Sequence, residues 1–122
     1  NFVKKHFIIS TSNDLVRILP ERIVYISSDG NYSNLIQADG ESKLLSYQLG
    51  QIEKMIANQL GSESYLFIRI GKSLIINRHF IHYINITKQK IVLSDAKTIK
   101  HTLSASREAL KQLKEFIEKE EK

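Results

Sequence analysis

The chain is 122 residues long, with 42% hydrophobic and 25% charged side chains, the proportions of one globular domain rather than of a disordered segment. It contains no cysteine, which excludes disulfides, thiol nucleophiles and cysteine-ligated zinc. Its net charge of +5 points toward polyanionic partners. Apolar runs are too short to cross a bilayer, and no secretory signal pattern is readable. The chain opens on Asn1 rather than Met, as expected of a processed or excised piece.

The charge is concentrated. Residues 69–107 carry eight Lys or Arg against Asp95 alone, whereas each flank carries one more acid than base. Charge by itself fits a solvated surface equally well; a nucleic-acid reader also needs polar side chains beside it to address bases.

In chain order, Phe7-Ile8-Ile9 and Leu15–Leu19 read as short strands around the turn cluster Ser12-Asn13-Asp14. Arg22–Ile26 and Tyr32–Ala38 are strands separated by Asp29-Gly30-Asn31. Asp39-Gly40 is the strongest hairpin signal, since both residues tolerate positive φ, with Lys43–Ser46 returning. Ser46 is placed to cap a first helix, in which Leu49, Ile52, Ile56 and Leu60 fall on one face, and Gly61 suits its end. Strands resume over Ser64–Ile70 and Ser73–Ile76, and His82–Thr87 pairs with Lys90–Leu93. Thr98-Ile99-Lys100 precedes a second helix, capped by Ser104 or Ser106 and carrying the stripe Ala109, Leu110, Leu113, Phe116 and Ile117. The charged tail Glu118–Lys122 is expected to fray. There is no βαβ alternation, which argues against a nucleotide-binding parallel sheet.

Enzyme signatures are scarce. There is no G-x-S-x-G, phosphate-cradling glycine loop or H-E-x-x-H. His79 and His82 have a metal-compatible spacing but no third ligand nearby. The expectation is a protein that is not an enzyme and has no metal or cofactor.

Three polar clusters stand out. In Phe67–Asn77, Gly71-Lys72-Ser73 protrudes between apolar strands; Lys72 suits a phosphate or a guanine edge and Ser73 a phosphate, although lysine is also common in plain hairpin turns. In Asp29–Asn34, Asn31 and Asn34 offer adenine a donor and an acceptor side by side, with Ser33 beside them; ordinary turn chemistry explains the same residues. In Leu103–Arg107, Arg107 opens a helix, where its charge opposes the helix dipole. Such a local inconsistency can mark a function: an arginine there can read guanine O6 and N7 bidentately. It could equally pair with Glu108 or Glu115.

Taken in order, these clusters resemble the LytTR family of bacterial DNA-binding domains. The family pattern is similar to Ile26–Tyr32, then Leu49–Glu53, then Phe67, Arg69, Ser73, Ile76, Asn77 and Ile81, closing on Ser106-Arg107. It spans residues 20–117 of this chain, leaving 1–19 as N-terminal strands or extension and 118–122 as a charged tail. Three departures stand out: Gly71 and Lys72 replace a family histidine and arginine, and Ser27 replaces a glutamate. Lysine lacks the planar fork of arginine, and Gly71 lets the backbone approach a ligand closely.

The resemblance implies a mostly β fold with two helices (α+β), an elongated stack of small antiparallel sheets. It implies loops inserted into successive major grooves of a bent duplex. It further implies a domain of a bacterial, cytoplasmic transcription regulator of the response-regulator, two-component type. Pairing on repeated half-sites of double-stranded DNA is expected, as is an upstream receiver or sensor domain outside this sequence. Arg107, Lys72, Asn31, Ser33 and Asn34 are then the base-contact candidates, and Ser73, Arg78, Arg69 and Ser106 the phosphate candidates. Alternation places Arg69 on the strand face of Phe67, so an ion pair is an equal expectation for it. The alternative class is an RNA-binding or protein-interaction β module, for which Tyr32, Tyr65 and Tyr83 are the aromatic candidates.

Overall fold

A computed structural model describes residues 5–121. Residues 1–4, the start of the expected N-terminal extension, and residue 122, the end of the charged tail, lie outside the described residues. The elements are β1 (Phe7–Ser10), β2 (Leu15–Ile18), β3 (Ile23–Asp29), β4 (Tyr32–Gln37), β5 (Ser42–Leu45), α1 (Leu49–Leu60), β6 (Phe67–Ile70), β7 (Leu74–Asn77), β8 (Ile81–Asn85), β9 (Lys90–Ser94), β10 (Lys100–Ser104) and α2 (Arg107–Glu120). The strands form three antiparallel sheets: β1-β2, the central β5-β4-β3-β7-β6, and β10-β9-β8. This is the mostly β, two-helix fold that the sequence implies.

The central sheet is covered on both faces, and its middle strands show why. Along β7, Leu74, Ile75 and Ile76 are all buried, an uninterrupted apolar run typical of a strand enclosed on two sides. Ile75 packs with Ile26, Leu35, β1 and the α1 stripe Leu49, Ile52, Ile56 and Leu60. Leu74 and Ile76 join Val24, Ile91, Leu93, Leu110 and Leu113 on the other face. In β3 a register irregularity between Ile23 and Tyr25 lets Val24 and Tyr25 face the same core, as a bulge does.

Four local expectations change. Residues Gly61–Leu66 form a 3-10 segment, so the strand expected from Ser64 begins at Phe67. The cap of α1 is Gln48, whose backbone N–H donates to Gln51 Oε1 at 2.8 Å, rather than Ser46. The strand expected at Thr98 starts at Lys100, because Asp95 Oδ1 accepts from the N–H groups of Lys97, Thr98 and Ile99 and winds that segment into a turn. The charged tail remains helical through Glu120, where the Glu120 carboxylate meets Arg78.

Candidate nucleic-acid interface

The β3–β4 and β6–β7 turns emerge at one end of the central sheet. Strands β3 and β7 pair antiparallel with Ser27 opposite Leu74, and one step further Ser28 N–H donates to the Ser73 carbonyl at 2.9 Å. Polar clusters more than forty residues apart are therefore neighbours. In the first turn Gly30 has φ +62 and Asn31 is exposed. Asn31 Oδ1 accepts from Gln48 Nε2 at 3.2 Å, so the cap of α1 braces this turn. Asn34 is half-buried, with Nδ2 3.4 Å from Asp29 Oδ2.

The second turn is clamped from beneath by Arg69. Its Nε donates to the Gly71 carbonyl at 3.1 Å, Nη2 to the Lys72 carbonyl at 3.3 Å, and Nη1 to Glu53 Oε1 at 2.8 Å. Gly71 has φ +57, a conformation that is costly for any side-chain-bearing residue. The rigid fork of arginine suits this triple engagement. Arg69 is thus a positioning group tied to α1, and its expected phosphate contact gives way to the ion pair. Lys72 and Ser73 are left exposed at the tip.

The third cluster leads into α2, and the same helix lines a groove with the second turn: Gly71 at the end of β6 faces Ala109 and Gln112, with Leu113 and Phe116 further along. Ser106 is the N-cap, its Oγ accepting from Ala109 N–H at 3.1 Å. Arg107 follows as the first helical residue, exposed, with Nη2 donating to the Thr87 carbonyl at 3.2 Å. The expected partners Glu108 and Glu115 do not engage it; Glu108 accepts from Gln112 instead.

Two further candidates face away from solvent. Ser33 is fully buried and donates from Oγ to the Tyr47 carbonyl at 2.8 Å, which removes it from base contact. Arg78 donates from Nε to the Tyr65 carbonyl at 2.6 Å, pairs with Glu120, and lies over the rings of Tyr65 and Phe116 at 5.3 and 5.4 Å. Only 16% of its side chain is exposed, so it fastens α2 to the 3-10 segment rather than awaiting a phosphate. Asn77, named only as part of the family pattern, has a buried amide that donates to the Ile23 carbonyl at 2.9 Å and accepts from His79 N–H at 2.9 Å.

The electrostatics follow from this sorting. Arg69 and Arg78 are neutralised by Glu53 and Glu120. Lys72, Lys88, Lys97 and Lys100 are exposed, with no acidic partner among the described residues. Asp95, the only acid of the block, is held below the ordinary carboxylate range by the backbone N–H groups of Ile99, Lys97 and Thr98. It is engaged with the backbone of its own turn and forms no ion pair with the lysines.

A β domain that presents polar turns and unpaired cations has the makings of a polyanion reader. The family model of the LytTr DNA-binding domain matches residues 13–118, and the chain belongs to that family. DNA is accordingly its partner. A solved LytTr DNA-binding domain, from a Bacillus cereus protein described as a methyl-accepting/DNA response regulator, is similar in fold, with a TM-score of 0.65 at 16% sequence identity over 94% of this chain and 98% of that one. Among curated proteins none matches this chain. No described helix is long and apolar enough to cross a membrane.

Proposed function

We propose that this chain is the DNA-binding domain of a bacterial transcription regulator, acting in the cytoplasm and reading duplex DNA through turns set in successive major grooves. The observation that supports this reading is the convergence of two polar turns through the Ser28–Ser73 hydrogen bond, beside a groove that Gly71 shares with α2, the helix opened by Arg107. Arg107 reads a guanine in one groove, where its fork fits O6 and N7. Lys72, with Asn31 or Asn34, addresses the next groove, while Ser73 and the Ser106 hydroxyl approach the backbone.

Repeated half-sites bound by a pair of domains are part of the same proposal. The single-strand alternative has less support because, of its three exposed aromatic candidates, only Tyr32 lies beside a reading turn, while Tyr65 and Tyr83 each carry a cation, Arg78 and Lys90, over the ring. Selection of bound duplexes from a random library tests the proposal. A recurring motif with half-sites about one helical turn apart is the expected result; salt-sensitive binding that enriches no motif would reduce the turns to an unspecific basic surface.

A further inference from the structure

Arg107 does not stand alone at its end of the molecule. The turn between β8 and β9 is stitched to the segment that leads into α2: the Thr87 carbonyl accepts from Arg107 Nη2 at 3.2 Å, and the Gln89 carbonyl accepts from Ala105 N–H at 3.3 Å. The turn is also braced internally. Lys88 N–H donates to Asn85 Oδ1 at 2.8 Å, and Asn85 Nδ2 donates to the Tyr83 hydroxyl at 2.9 Å. It carries Lys88, exposed and without an acidic partner among the described residues, and Lys90, whose Nζ lies 5.7 Å from the centre of the Tyr83 ring.

The register separates these lysines from the rest of the basic block. Lys90 pairs opposite Ser104 at the Arg107 end of the β9–β10 ladder, and Lys100 pairs opposite Ser94 at the other end. Four strand steps, about 13 Å at about 3.3 Å per residue, lie between the two ends. Lys97 sits with Lys100, in the turn beyond Asp95.

We infer that the β8–β9 turn is a fourth DNA-contacting element, in which Lys88 and Lys90 hold the backbone phosphates flanking the groove read by Arg107. This deepens the proposed function and rests on it. The occupant is set by charge complementarity and by continuity with Arg107: two cations on a braced turn, hydrogen-bonded to the base reader itself. The Thr87 carbonyl also fixes where the guanidinium points, so the turn orients one contact while supplying two others. Backbone contacts of this kind set register on a duplex without encoding sequence.

The test is a salt titration of affinity for the selected duplex and for a scrambled one. It compares the wild-type domain, Lys88→Ala, the double variant Lys88→Ala/Lys90→Ala, and Lys97→Ala/Lys100→Ala as a charge-matched control. Two phosphate contacts contribute a slope of about 1.8 in log affinity against log salt. The double variant should lose that slope on both duplexes, making its affinity loss between about 50 and 200 mM salt about tenfold smaller than wild type. Lys88→Ala, which removes no side-chain contact, should lose about half the slope, and the control none. The base preference of the selected site should stay unchanged. Equal slope losses in the double variant and the control would make the effect one of bulk charge and overturn the inference. Unchanged slopes throughout, with specific binding intact, would overturn it while leaving the proposed function standing. Absence of specific duplex binding in the wild type would overturn both.

Discussion

Arg78 and Arg107 belong to the same basic block and have opposite surroundings. Arg78 is enclosed: it meets a carbonyl, a carboxylate and two aromatic rings. Arg107 gives one N–H to the Thr87 carbonyl and is otherwise open to solvent. Charge density along a sequence therefore does not identify a binding surface. Pairing and position sort the cations instead: Lys72 and Lys88 on turns and Arg107 at a helix start have no acidic partner among the described residues, while the engaged arginines fasten elements together.

Substitutions separate the two roles. The largest effect is expected at Asn77, the fastening group of the same segment as Arg78. Asn77→Ala leaves the Ile23 carbonyl and the His79 N–H without their buried partner, and should cost about 2–4 kcal/mol of stability, read as a lower denaturation midpoint. Arg78→Ala removes packing against Tyr65 and Phe116 as well as the ion pair, and should cost about 1–3 kcal/mol while leaving the salt dependence of DNA binding unchanged. A shallower salt slope in Arg78→Ala would place that residue on the phosphate after all.

Lys72→Ala is the converse case. It should leave thermal stability unchanged and, if Lys72 holds a phosphate, reduce the salt slope by about one unit. An unchanged slope with altered base preference would make it a base contact instead. The smallest effect is confined to the β9–β10 turn. The folded-state pKa of Asp95 is depressed by hydrogen bonds to the backbone N–H groups of Ile99, Lys97 and Thr98. The stabilisation is therefore present above the unfolded carboxylate value and is lost as pH falls through the lower folded one. Amide protection at Lys97, Thr98 and Ile99 should fall with acidification below the ordinary value of 3.8, and Asp95→Asn should abolish that pH dependence.

Much of the fold was legible because its signals are local. The α1 stripe Leu49, Ile52, Ile56 and Leu60 is buried as its spacing requires, and glycines with positive φ sit at the turns after β3, β4 and β6 and at the end of α1. Misreadings arose where side chains overrode propensity. Asp95 gathers three N–H groups and delays β10, and Gln51 draws the α1 start away from Ser46 to Gln48.

For the candidate site, the inward direction of Ser33 was readable, because strand alternation puts it on the face of Leu35, which is buried. The enclosure of Arg78 was not readable, since Glu120 lies forty-two residues away and only the completed packing of α2 brings it close. The Lys88–Lys90 turn was equally hidden: its tie to Arg107 depends on the pairing of β9 with β10, which no local motif encodes.

The most direct test of this sorting of arginines is the affinity of Arg107→Ala for the selected duplex and for its scrambled counterpart, measured at one salt concentration beside its melting temperature. The expected result is a loss of about 1–3 kcal/mol on the selected site, a relaxed preference at one base pair, nearly unchanged affinity for the scrambled duplex, and an unchanged melting temperature. An equal loss on both duplexes would make Arg107 a phosphate contact and contradict its assignment as the base reader.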